Sequence, residues 1–255
     1  MNKDELKKIV DRPEMISGIY NYCDRWCERC HFTNRCATFA LEQEQFPDPE
    51  KDLENAVFWD KLSEVFDLTM EMILEDAEDL GIDLDDLDSE EFDTAYERAE
   101  ELTDNHYCST QSKEYSSSVK RWFEEAQELL AHKIKAIEDR NRIGIDENES
   151  EELTDIIAII HWYQFQIHIK IRRGLHGKFD ELEEDDELAK DSDGSVKVAL
   201  IGIDRSIAAW GQILSSFPEK EDEIIDILVQ LERLRRATEK EFPQARDFKR
   251  VGFDD

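Results

Sequence analysis

Glycine and proline are scarce in this chain, nine and five in 255 residues. So few turn-forming residues exclude a many-stranded sheet with frequent tight turns and favour long helices. Base is scarce relative to acid: 32 Lys and Arg stand against 64 Asp and Glu, a formal charge of −32. Direct binding to nucleic acid or to an anionic membrane needs cationic surface, so neither is expected. Long apolar runs are missing. The longest uninterrupted aliphatic stretch is Ile156 to Ile160, far short of the roughly eighteen residues of a membrane span. The opening stretch MNKDELKKIVDRPEM has no apolar core of the kind a secretory signal carries. A cytoplasmic location is the resulting expectation, and a reducing one.

What is present is a core. Hydrophobic residues make up 40%, with five Trp and thirteen Phe, too apolar for wholesale disorder. The pattern predicts an all-α protein, a multi-helix bundle with an N-terminal helical segment that carries a four-cysteine metal site. Four parts are expected: an N-terminal segment over 1–50, a helix with an acidic region over 51–110, a core bundle over 111–241 and an irregular tail over 242–255.

In more detail, helices are predicted over 14–30, from a cap at Thr33 or Asn34 to about Gln45, over 55–80 and over part of 90–102. A further helix is expected over 117–142, where Val119, Phe123, Ala126, Leu130, Ile134 and Ile137 form one stripe. Others follow over 152–173, 196–217 and 219–241. FPDPEKD, IGIDENESEE and the acidic run 180–193 are predicted breaks, with DSDGS leading into the helix at 196. The helix at 152–173 has two apolar faces. Ile156, Ile160, Tyr163, Ile167 and Ile171 lie on one, and Ala158, Trp162, Phe165 and Ile169 on the other. Packing on both sides would put it at the bundle centre, with 196–216 as its neighbour.

Cysteine is rare as well, but unevenly so. Four of the five lie in YCDRWCERCHFTNRC, as Cys23, Cys27, Cys30 and Cys36, spaced C-x3-C-x2-C-x5-C. In a reducing compartment such clusters serve metals or redox groups more often than disulfides. Thiolates suit zinc and iron–sulfur clusters. The interleaved Arg25, Arg29 and Arg35 could stabilise thiolates, and His31 could replace a ligand. On a straight helix Cys23 and Cys30 sit about 10 Å apart along the axis. That distance favours a [4Fe–4S] cluster over one zinc ion, whereas a break near Cys27 or Cys30 makes zinc equally good. The C-x3-C-x2-C part has the cluster spacing of radical S-adenosylmethionine enzymes, but the alternating strands and helices of their barrel are absent, so the match ends at the spacing. Cys108 is taken as an ordinary cysteine.

A second set of polar residues forms a seam between the two apolar faces of 152–173: His161, Gln164, His168 and Arg172, with Asp204 on the neighbouring helix. Bundles do build di-iron sites from carboxylates and histidines. Here neither His161 nor His168 lies three residues after a Glu, so a hydrogen-bonded seam is the simpler expectation. Glu128 and His132 stand one turn apart elsewhere. No Gly-rich phosphate loop, nucleophile elbow or H-E-x-x-H occurs.

Together these features predict an acidic helical metal-binding protein, acting in binding or regulation with a [4Fe–4S] cluster or zinc on the four cysteines. Two alternatives are an iron–sulfur redox protein or enzyme with a His-lined site, and an acidic scaffold. The scaffold would hold a basic protein partner on the acidic strips at 75–104 and 180–193.

Overall fold

The computed structural model describes residues 3–45, 56–81, 90–142, 149–180 and 186–254. FPDPEKD falls outside them, as do most of IGIDENESEE and the start of the second acidic run. The described residues hold α-helices and short 3₁₀ turns and no strand. None of these helices is long and apolar enough to cross a membrane. The chain divides into two compact units, Met1–Thr94 with Lys249–Asp255, and Ala95–Phe248.

The second unit is the bundle. It takes in the later part of α4 (Glu90–Asn105), α5 (Tyr107–Glu125), α6 (Gln127–Arg142), α7 (Glu149–Phe179), α8 (Asp186–Ser216) and α9 (Glu221–Glu241). Helices α5, α7, α8 and α9 pack in a ring, α5 on α7, α7 on α8, α8 on α9 and α9 on α5. The α7–α8 pair is the most extensive contact, which agrees with the sequence pairing of 152–173 with 196–216. Small residues let these two helices approach. A side chain at Gly174 would run into Val196, and one at Gly202 would come within 2.8 Å of Tyr163. The core is aromatic at its centre: Trp210 donates to the Tyr115 hydroxyl at 3.2 Å, and Trp122 meets the Trp210 ring edge-on at 5.0 Å.

Four expectations change here. The predicted helix at 117–142 is two helices, because Ala126 (φ −90°, ψ 3°) ends α5 and α6 restarts at Gln127. α5 also begins ten residues early, at Tyr107, where the His106 side chain caps it by accepting from the Cys108 amide at 3.2 Å. DSDGS is not a lead-in but lies inside α8, where Ser192 and Ser195 are buried. Finally, α7 buries only its first apolar face. Ile160, Tyr163, Ile167 and Ile171 are buried, whereas Phe165 and Ile169 on the second face are exposed.

The first unit contains α1 (Lys3–Val10), α2 (Ala37–Gln45), α3 (Ala56–Leu80) and the start of α4. No helix spans 14–30. After α1 the chain runs in turns, with Gly18 at φ +74° and Arg25 at φ +58°. Left-handed residues cannot continue a right-handed helix, and Arg25 pays a strain cost that glycine avoids. The predicted cap at Thr33 or Asn34 is a 3₁₀ turn, Thr33–Arg35, and the helix proper starts three residues later at Ala37.

Candidate functional site

The loop between α1 and α2 is closed at its neck. The Ile16 amide donates to the Arg35 carbonyl at 3.0 Å, and the Arg35 side chain donates to the Glu14 carbonyl at 3.2 Å. Cys36 stands just past this neck, and its carbonyl accepts the first turn of α2 from Ala40 at 3.0 Å. Cys23, Cys27 and Cys30 lie within the loop. Cys27 opens a 3₁₀ turn whose end is the Cys30 amide, bonded to the Cys27 carbonyl at 3.1 Å. The C-x2-C pair is therefore folded into a compact turn rather than laid along a helix. The Phe32 amide donates to the Cys30 sulfur at 3.4 Å.

These turns bring all four cysteines to one half-open cavity of about 30 Å³. Its remaining wall is largely aromatic: Tyr20, Trp26, Phe32, Phe39 and Phe253. Phe253 arrives from the C-terminal tail, which folds back as a turn pinned by Arg250 and Asp254 (2.9 Å). It meets Phe32 edge-on at 5.1 Å. Gly252, at φ +77°, lies against Ile16 and Ile19, where a side chain would come within 3.0 Å of Ile19. Nothing in the sequence ties this tail to the cysteines, since both ends of the chain must first meet.

All four thiols are reduced and partly buried. The Cys27 thiol is pushed up to about 11, first by burial, then by the negative charge of Glu42 and by Cys23, Cys36 and Cys30. Like charges crowded in one site favour the protonated form. The arginines have other contacts: Arg29 stacks 4.1 Å above the Trp26 ring, and Arg35 holds the neck. His31 is exposed and does not line the cavity. Among the described residues no three His, Cys, Asp or Glu side chains stand close enough, as placed, to clasp one ion.

The polar seam of α7 divides among separate partners. Gln164 lies 3.3 Å from the His161 ring nitrogen, and the Phe123 ring covers a face of His161, lowering its pKa by desolvation. His168 Nδ1 is 2.9 Å from the Ser112 hydroxyl on α5. Burial lowers its pKa, helped by Arg172 and Lys113 and opposed by Ser109 and Asp104. Arg172 reaches across to Glu100 and to Asp104 (3.0 Å) on α4. Asp204 belongs to a different cluster, paired with Arg246 at 2.6 Å and Arg235 at 3.4 Å. Glu128 and His132 are exposed on α6. Cys108 is buried in the bundle, which raises its pKa. No protein-family model, curated protein or solved structure matches this chain.

Proposed function

We propose that Cys23, Cys27, Cys30 and Cys36 bind one zinc ion, and that the ion orders the N-terminal loop and the tail of a protein that acts by binding rather than by catalysis. The observation that carries this reading is the convergence of four reduced thiols on one cavity in a loop with almost no core of its own. Among the described side chains of 6–44 and 249–254, the buried ones are Ile9, Ile19 and Ala37. So little burial does not offset the entropy of ordering some fifty residues, at about 1–2 kcal/mol each, and small scaffolds of this kind rely on a covalent or metal staple.

The backbone at the C-x2-C pair, a compact turn, favours zinc over a cluster. The straight helix that would favour [4Fe–4S] is absent. The Phe32 amide on the Cys30 sulfur is the type of outer hydrogen bond that orients a metal-bound thiolate. Zinc binding requires the thiols to lose their protons and rotate inward, so metal uptake and loop ordering are one equilibrium. A four-thiolate site has no open position for substrate and is structural in kind.

Metal analysis with an absorption spectrum on anaerobically purified protein tests this. The expected result is a colourless protein with one zinc per chain. Broad absorbance near about 400 nm, with iron and sulfide, would assign a cluster and the redox reading instead. Absence of both metals, with no zinc uptake on titration, would sink the metal reading altogether.

A further inference from the structure

The longest helix of the first unit poses a separate problem. Along α3, Phe66, Met70, Ile73, Ala77 and Leu80 recur at steps of four, three, four and three, the a/d spacing of a coiled-coil seam. A seam of this kind is normally covered, because an apolar stripe is what ties a helix to its neighbour. Here Ala77 is covered, but Phe66, Met70, Ile73 and Leu80 are 62%, 55%, 48% and 74% exposed, and Leu74 beside them is 52% exposed. Contiguous exposure of large apolar side chains on one face marks an interaction surface.

The charge around the seam says what kind of partner fits. From Asp60 to Asp79 the helix carries acid in every turn and a single base, Lys61. At 100° per residue, Asp67 and Glu78 lie along the Leu74 edge of the stripe, and Asp76 flanks the other edge. These three residues are exposed. A second copy of α3 laid on the seam would set acid against acid, which is destabilising at flanking positions. A helix with the same apolar repeat and Lys or Arg on its flanks would match both features.

We propose that α3 is the docking helix for a basic amphipathic helix of a partner protein. The partner's apolar residues would enter the seam from Phe66 to Leu80, and its cations would lie over Asp67, Asp76 and Glu78. This surface does not depend on the cysteine cavity.

The test uses the full chain and three fluorescent peptides with one leucine heptad repeat, flanked by lysine, glutamine or glutamate. The lysine peptide should bind, at least about tenfold more tightly than the glutamine peptide, and the glutamate peptide should not. The double variant Phe66→Ser/Ile73→Ser should lose binding by about tenfold or more, and Asp67→Lys/Asp76→Lys/Glu78→Lys should exchange the preference to the glutamate peptide. Cys27→Ser should leave binding intact, so failure of the zinc reading and failure of this one are distinguishable. Three results would overturn the proposal: lysine-peptide binding unchanged in Phe66→Ser/Ile73→Ser, equal binding of the glutamine peptide, or self-association of the chain that these same substitutions abolish. If the serine variant loses helix by circular dichroism, the charge-reversal variant decides.

Discussion

The cysteine loop and the four-helix ring solve the same problem with different means. The ring buries Tyr115, Tyr163, Trp210, Ile167, Ile171 and Leu200 almost completely, and each such side chain contributes about 1.5–3 kcal/mol relative to exposure. The loop buries Ile19, its flanking helices bury Ile9 and Ala37, and the rest is turns, a hydrogen-bonded neck and four thiols around a cavity. A region stabilised by packing is indifferent to any single polar partner. A region stabilised by a crosslink depends on one event. The contrast teaches where this chain is vulnerable: the bundle to changes in volume and, on the zinc reading, the loop to loss of the ion.

The largest effect should follow from Cys27→Ser or from a strong chelator. On the zinc reading, either change unfolds the loop outright, because folding and binding are linked. Limited proteolysis should then cut within 14–36 while the bundle's thermal transition stays where it was. A loop that resists protease as well as the parent would erase the contrast. Next, Trp210→Ala removes the centre of the aromatic core and should cost about 3–5 kcal/mol in denaturant unfolding of the bundle, with zinc content unchanged.

A smaller pair of substitutions probes packing within the bundle itself. Gly174→Ala places a methyl group against Val196 and within 3.1 Å of the Ser192 carbonyl, and should destabilise by about 1–3 kcal/mol. Gly211→Ala meets nothing within 4 Å and should instead gain about 0.5–1 kcal/mol from helix propensity. Opposite signs at two glycines would show that close helix approach, not glycine as such, shapes the ring.

The smallest effect is a pH dependence at His168. Its pKa lies below the ordinary 6.5 in the folded bundle, through burial and the nearby Arg172 and Lys113. The unfolded chain therefore takes up the proton first as the solution is acidified. The stability tied to a neutral His168 is complete above 6.5 and is lost as pH falls from there toward the folded value. Thermal unfolding between about pH 7.5 and 5.5 should show this slope, and His168→Gln should reduce it, leaving the part that the desolvated His161 contributes. The loop's protease resistance should not change with that substitution.

How much of this was legible in the residues varies with the range of the interaction. Helical class, the α7–α8 pairing and the clustering of Cys23, Cys27, Cys30 and Cys36 all follow from periodicity and spacing. The break at Ala126 did not, because a single non-helical residue that stays buried leaves the apolar stripe in phase on both sides. The DSDGS segment carries turn-forming residues, yet Ser192 and Ser195 are buried inside α8, so packing overrides local preference there. The second face of α7 looked like core by composition, but Phe165 and Ile169 are exposed, and only the placement of neighbouring helices decides which of two apolar faces is covered. For the candidate site, the four cysteines were visible as a group. Their aromatic wall was not, because Phe253 comes from the far end of the chain.

By itself, then, the amino-acid order determined the helical class, a net charge of −32 and the grouping of four cysteines in one short stretch. These are properties of composition and of periods a few residues long. Tertiary structure alone decided that the loop runs in turns rather than as a straight helix, since that depends on left-handed backbone at Gly18 and Arg25 and on a neck joining Ile16 to Arg35. That one change replaces thiols strung along a helix axis with thiols that line one cavity.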